Sequence, residues 1–153
     1  MVRDLFETLL EETGQAMGIT LRPDRNNSCL IKLPSGVKIQ IEMDKKDDFL
    51  ILGCNLGTAP AGKYRENLFR QALKTNELLP NQCGIFAYSP KTDHLILFQK
   101  LPLNDLNGQK IFAAITPLID KAALWIEAIA HNDVPPLEQS TSTQSSGMFG
   151  LRK

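Results

Sequence analysis

The sequence lacks the features that mark a membrane-spanning, nucleic-acid-binding or exported protein. No apolar run reaches the roughly 18 residues that span a bilayer, so we expect no membrane insertion. Lys plus Arg and Asp plus Glu both number 17, so the formal net charge is zero and gives no general attraction for nucleic acid. The segment Met1–Asp4 leads into an amphipathic pattern with acidic residues, unlike the apolar core of a signal peptide. We therefore expect a cytoplasmic protein with no nucleic-acid partner.

Cysteine is also scarce. Cys29, Cys54 and Cys83 are the three present, and none belongs to a CxxC pair. Each lies within an apolar, strand-like run, which is typical of a buried, reduced thiol. Their odd number and wide separation argue against a disulfide framework or a zinc site. We expect no metal and no other cofactor.

No motif in the sequence supplies a nucleophile, a base and oxyanion donors together. Cys83 and His94 flank one predicted hairpin and could approach each other across it, and His131 is the second of the two histidines. Thiol catalysis needs an electropositive, accessible setting for the cysteine, whereas Cys83 precedes the apolar segment 84–86. We therefore predict that the protein is not an enzyme and has no catalytic residues.

The composition is that of one globular domain. Of 153 residues, 42% are hydrophobic and 22% are charged, which is ordinary for a folded protein of this length. From Asp133 onward the composition changes, because Pro135-Pro136 is followed by a stretch of Ser, Thr and Gln over residues 139–146 that cannot bury enough surface to order itself. We predict a folded domain over residues 1–132 and a flexible tail over residues 133–153.

Hydrophobic periodicity predicts an α+β fold. Apolar residues at helical spacing indicate three helices, and shorter apolar or alternating runs indicate five strands. The helices are predicted at residues 4–17, 64–79 and 109–130, and the strands at residues 29–33, 37–43, 49–56, 83–88 and 94–101. Strand 49–56 carries bulky apolar residues at both parities, so we expect both of its faces to be covered. The element order α-β-β-β-α-β-β-α and the short turns predict a twisted, antiparallel five-stranded sheet.

The segment from Leu68 to Trp125 resembles the class I type III secretion chaperones, the CesT and SycE family. Its second helix resembles the leucine-rich helix of the family that closes on an asparagine, here Asn76. The remaining positions that carry the likeness are Gly84, Asp93, the run Leu95–Leu103, Leu106, Ala122 and Trp125. The matching order of elements extends over residues 3–131.

The resemblance implies a homodimer in the bacterial cytoplasm that binds the N-terminal, unfolded segment of one or more secreted effectors. That segment, called the client below, would stay competent for secretion, and the ATPase of the secretion apparatus is a further candidate partner. The resemblance also places the dimer interface at the second helix and the strand that follows it. The residues that we predict there are Leu68, Phe69, Leu73, Ile85 and Phe86.

A client has two physical routes of attachment to such a surface. An extended peptide can pair with an open sheet edge, and apolar anchors can fill grooves beside it. Strand 29–33 is short and flanked by turns, so it is our candidate edge, and the first helix has more apolar residues than a narrow stripe requires. The predicted client-binding residues are Leu5, Phe6, Leu9, Ile31, Leu33, Ile39 and Ile41. For each of them a place in the core is the alternative.

Two other functions fit the same pattern of elements. The first is a regulatory binding module like the YbjN-type domains, which would bind a folded partner or a small ligand. The second is an RNA-binding sheet, for which the sequence lacks interleaved basic and aromatic residues. A chaperone differs from the first alternative because it would keep an extended, protease-sensitive segment in solution.

Overall fold

The computed structural model describes residues 2–44, 46, 48–78 and 84–136, and the predicted element order is confirmed there. The tail of residues 137–153 and Cys83 lie outside the described residues, and strand β4 begins at Ile85. The elements are α1 (Val2–Met17), β1 (Ser28–Lys32), β2 (Lys38–Met43), β3 (Phe49–Gly57), α2 (Lys63–Leu78), β4 (Ile85–Ser89), β5 (His94–Pro102) and α3 (Gly108–Ala130).

The five strands form one antiparallel sheet in the order β1-β2-β3-β5-β4. Because β4 and β5 form a hairpin that adds to β3 through β5, the edges of the sheet are β1 and β4. One buried row crosses all five strands, from edge to edge: Ile31, Ile39, Cys54, Leu97 and Phe86. Side chains of neighbouring strands at such positions interact directly, so this row forms the floor of the core.

The helices cover the face of the sheet that carries this row. Helix α1 packs on α3, and α3 packs on β3 and β5. The Trp125 ring of α3 lies 4.3 Å from the Phe86 ring, centroid to centroid. Helix α2 reaches the same face at its β4 margin, where Phe69 contacts Tyr88. The core therefore lies between the sheet and the helices on this one side.

The opposite face of the sheet, called the outer face below, is only partly covered by the described chain. Its central row consists of Leu30, Gln40, Gly53, Phe98 and Ile85. The two ends of the row, Leu30 and Ile85, are 50% and 46% exposed. On β3 itself every residue except Asn55 is buried or half-buried, so our expectation that both faces of this strand are covered holds only in part. The apolar side chains of β3 that point to the outer face, Phe49 and Ile51, are half-buried.

The ordered body extends slightly beyond the boundary predicted at residue 132. The Tyr64 hydroxyl donates to the carbonyl of Asp133 at 2.8 Å, and the Gln71 side-chain amide donates to the carbonyl of Pro135 at 2.9 Å. Pro135 is buried. Residues 133–135 are thus fixed against α2 by contacts that composition alone does not reveal.

Candidate protein-binding surfaces

The structure divides the five residues predicted for a dimer interface into two groups. Leu68 and Phe86 are 0% and 5% exposed and belong to the core of their own chain. This corrects their assignment, because a side chain enclosed by its own domain is not available to a second subunit. Leu73 and Ile85 are 66% and 46% exposed, and Phe69 is half-buried.

Leu73 and Phe69 line an apolar cleft between α2 and β4, called the α2/β4 cleft below, whereas Ile85 lies on the outer face of β4. Its volume is about 170 Å³. Phe69 lines it on the helix side and contacts Tyr88, with 5.4 Å between the ring centroids. The lining residues are Phe69, Ala72, Leu73, Phe86, Ala87, Tyr88 and Leu95. An open, apolar cleft beside a rigid aromatic pair is the kind of surface that protein partners use as an anchor point.

Polar contacts fix the geometry around this cleft. Arg65 donates two hydrogen bonds to the carbonyl of Ala59, at 3.0 and 2.6 Å, and pairs with the Asp93 carboxylate at 2.9 Å. The Tyr88 hydroxyl donates to the other carboxylate oxygen of Asp93. These hydrogen bonds from Tyr88 and Arg65 hold the pKa of Asp93 below its usual value. The same contact with Asp93 raises the pKa of Tyr88.

A side chain also closes the β4 edge at one residue. The Asn76 carboxamide accepts from the backbone N–H of Phe86 at 2.9 Å and donates to its carbonyl at 3.0 Å. It therefore occupies both backbone groups that a further strand would use at this position. The asparagine that ends the family-like helix segment thus has a structural role that its position in the sequence did not reveal.

Five of the seven predicted client-binding residues lie in the core. Their side chains are at most 4% exposed, because the inner face of the sheet is enclosed by α1 and α3. The five residues are Phe6, Leu9, Ile31, Ile39 and Ile41. The structure corrects their assignment, since a client has no access to them. Leu5 is 42% exposed and Leu33 is half-buried, so these two remain accessible.

Among the residues that the structure describes, none pairs with the outer side of the β1 edge at Leu30 and Lys32. At Ser28 the edge is closed, because the Asp24 backbone N–H donates to the Ser28 carbonyl at 2.7 Å and the Asp24 carboxylate accepts from the Ser28 N–H. Leu33 donates to Val37 on the β2 side, so the alternation of an antiparallel ladder directs the N–H and C=O groups of Leu30 and Lys32 outward. The predicted edge strand is therefore confirmed as an edge, and Leu30 is its exposed apolar residue.

A groove that the sequence did not indicate runs beside α1. It has a volume of about 840 Å³ and lies between α1 and the segment that follows it. Ile19, which is 44% exposed, is its largest exposed apolar residue. The lining residues are Glu7, Thr8, Glu11, Gln15, Ile19, Thr20, Leu21, Arg22 and Pro23. Periodicity gives no signal here, because the groove is formed by the polar side of a helix and a non-repetitive segment.

The two histidines considered as catalytic candidates are engaged in structural contacts, and Cys83 lies outside the described residues. His94 Nδ1 lies 2.6 Å from the Asn55 amide nitrogen, and His131 Nδ1 lies 3.0 Å from the Glu127 carbonyl at the end of α3. Over the part of the chain that the structure describes, no three His, Cys, Asp or Glu side chains are grouped as metal ligands. None of the helices described there is long and apolar enough to cross a membrane.

Comparison with known proteins identifies the family. Residues 8–125, which are more than half of the chain, match the sequence profile of the Tir chaperone protein (CesT) family. The protein belongs to this family, and the resemblance drawn from the sequence is confirmed. A search of curated protein sequences finds no match.

Solved structures share the fold at low sequence identity. A chain of the HopA1–SchA chaperone–effector complex has a TM-score of 0.69 and 18% identity, covering 82% of this chain and 96% of that chain. A chain of the complex of the Yersinia pestis type III secretion chaperone SycH with a fragment of YscM2 has a TM-score of 0.63 and 20% identity, covering 78% and 98%. A chain of the ExsC–ExsE complex has a TM-score of 0.66 and 18% identity, covering 84% and 92%.

Proposed function

We propose that this protein is a type III secretion chaperone that holds the unfolded N-terminal segment of one or more effectors in the bacterial cytoplasm. The observation that supports this most directly is that two separate apolar surfaces stay open although the core is complete. One is the α2/β4 cleft, and the other is the β1 edge, where Leu30 is exposed; Leu5 is exposed separately on α1. Two surfaces allow self-association and client binding at the same time.

The α2/β4 cleft is the proposed dimer interface. Leu73 projects from α2 with two thirds of its surface exposed, Tyr88 is exposed beside it on β4, and Ile85 is exposed on the outer face of the same strand. A second copy of the chain would cover these side chains and place Leu73 at a desolvated centre, where anchor residues contribute most of the binding energy. The Arg65–Asp93 pair keeps the cleft in shape before association.

The β1 edge is the proposed client site. An added strand would pair with the outward backbone groups of Leu30 and Lys32, while its apolar side chains would cover the exposed Leu30. Leu5 and Ile19 on and beside α1 offer further apolar contacts, and Leu33 lies at the end of the same edge. Main-chain hydrogen bonds are nearly independent of sequence, which suits a protein that holds an unfolded segment.

The family match indicates a binding protein, and we propose that it acts without catalysis, nucleotide or metal. Delivery of the client then requires a contact with the secretion apparatus, for which its ATPase is the proposed partner. The alternative is a YbjN-like module of the same fold that binds a folded partner or a small ligand.

Affinity capture from the native cytoplasm tests the proposal. The tagged full-length chain should retain an effector whose N-terminal segment is protected from protease in the complex and cleaved without it. The double variant Leu5→Asp with Leu30→Asp should lose this capture, because an unpaired carboxylate buried against an apolar client costs more than the roughly 2 to 7 kcal/mol of a buried neutral polar group. The matched control is Leu124→Asp, at a residue of α3 that is 49% exposed. Capture of a partner that stays folded would favour the alternative.

A further inference from the structure

Two lysines face each other across the first two strands of the sheet. Lys32 of β1 is paired in register with Lys38 of β2, and both are exposed. They share the outer face with Leu30, because residues two apart on a strand point to the same side. Like charges in directly opposite positions destabilise a sheet, so this pair is unfavourable to the isolated chain.

The described part of the chain contains no carboxylate that pairs with either lysine. The ion pairs Lys63–Glu66, Arg65–Asp93 and Arg70–Glu66 all lie at α2 or the β4–β5 hairpin. The acidic groups near β1 lie at its other end, where Ser28 is paired with Glu42 and hydrogen-bonded to Asp24. The two ends of the β1 edge thus differ in charge. The carboxylates of Asp24 and Glu42 lie at the Ser28 end, and the ammonium groups of Lys32 and Lys38 lie at the other end.

We propose that the Lys32–Lys38 pair selects the client segment by charge. The segment that adds to β1 places an apolar residue against Leu30 and an Asp or Glu against the two lysines. This inference rests on the proposed client site at the β1 edge. The free edge begins at Leu30, and the unpaired positive charge lies two residues farther along it. A strand added there brings its own side chains into the row of Lys32 and Lys38.

Protection against self-pairing is the competing explanation, because proteins place lysine on edge strands to prevent edge-to-edge association. One lysine on β1 is enough for that purpose. Lys38 lies on β2, which is flanked by β1 and β3 and is not an edge. The second lysine therefore adds nothing to edge protection but doubles the positive charge that an added strand would meet.

Selection from a library of random 15-residue peptides, displayed on phage, tests the inference with the full-length protein. The wild-type chain should enrich segments in which Asp or Glu stands two positions from an apolar residue. The double variant Lys32→Gln with Lys38→Gln should lose the acidic preference and keep the apolar one. The double variant Lys32→Glu with Lys38→Glu should enrich Lys or Arg in that place, because both charges that the added strand meets are then reversed.

Synthetic peptides then give the size of the effect. An enriched peptide that carries Glu should bind the wild-type chain about fivefold more tightly than the same peptide with Gln, as expected for exposed ion pairs. The preference should shrink between about 50 mM and about 500 mM NaCl, because salt screens exposed charges. Fluorescence anisotropy measures both.

Each outcome has a separate meaning. Apolar enrichment without acidic preference, or equal acidic preference in the double variant, overturns the charge selection and leaves the chaperone function in place. A library from which the wild-type chain enriches nothing contradicts the client site itself. Growth in particle mass of the double variant by light scattering, with peptide affinity unchanged, would show that the lysines only prevent self-pairing.

Discussion

Gly108 and Glu12 hold the first and last helices together. The Glu12 carboxylate accepts a hydrogen bond from the Gly108 N–H at 2.9 Å, beside the Asn107 side chain that accepts from Lys110 at the same helix start. A Cβ on Gly108 would lie 2.4 Å from the Cβ of Glu12. Only a residue without a side chain allows α1 to approach the start of α3 this closely.

Gly108→Ala should therefore destabilise the fold. The extra methyl group forces α1 away from α3, and we expect a loss of about 1 to 3 kcal/mol of unfolding free energy, as for other overpacked sites. Urea denaturation followed by circular dichroism measures it. Gly53→Ala is the control, because a Cβ there meets no atom within 4 Å. Equal losses in the two variants would contradict the close-approach explanation.

Leu73→Asp should separate the proposed dimer without unfolding the subunit. Leu73 is 66% exposed, so a charge there costs the isolated chain little, but it would be desolvated in the interface. Light scattering should give twice the subunit mass of 17.0 kDa for the wild-type chain and one subunit mass for the variant. The control variant Leu124→Asp on α3 should keep the dimer mass of the wild-type chain. A wild-type monomer at micromolar concentration would disprove the interface.

Truncation should separate the contribution of residues 133–136 from that of the rest of the tail. A chain ending at Asn132 loses the hydrogen bonds of Tyr64 to Asp133 and of Gln71 to Pro135. We expect it to lose about 1 to 3 kcal/mol of unfolding free energy. A chain ending at Pro136 keeps both contacts and should melt like the full-length protein. A matching loss in the longer truncation product would show that residues beyond 136 also contribute to stability.

Asp93 should make stability depend on pH in the acid range. Its pKa in the folded protein is lowered from 3.8 by the hydrogen bonds from Tyr88 and Arg65. A group with a depressed folded pKa contributes stability that is complete above its unfolded pKa and is lost as pH falls through the folded value. The wild-type chain should therefore exceed Asp93→Asn in unfolding free energy near neutral pH, and the difference should narrow below pH 3.8. A difference that stays constant with pH would exclude the carboxylate as its source.

The sequence alone determined the order of the elements and their approximate ends. Alternation in residues 37–43 and apolar spacing in α1 report the local period of the backbone, which depends on neighbouring residues only. The edge position of β1 also followed from its short length between turns. These features are local, so no tertiary information was needed for them.

Only the tertiary structure decided which apolar residues are free to bind a partner. Leu5 and Phe6 are adjacent in the sequence, yet Leu5 is 42% exposed and Phe6 is 1% exposed. On strands the inner row that includes Ile39 is enclosed, whereas Leu30 at the other parity is open. Hydrophobicity predicts that a side chain leaves water, but whether its own core, a second copy or a client covers it depends on where α1, α2 and α3 pack. The packing of the helices on one face of the sheet depends on contacts between distant parts of the chain. No local sequence pattern encodes these contacts.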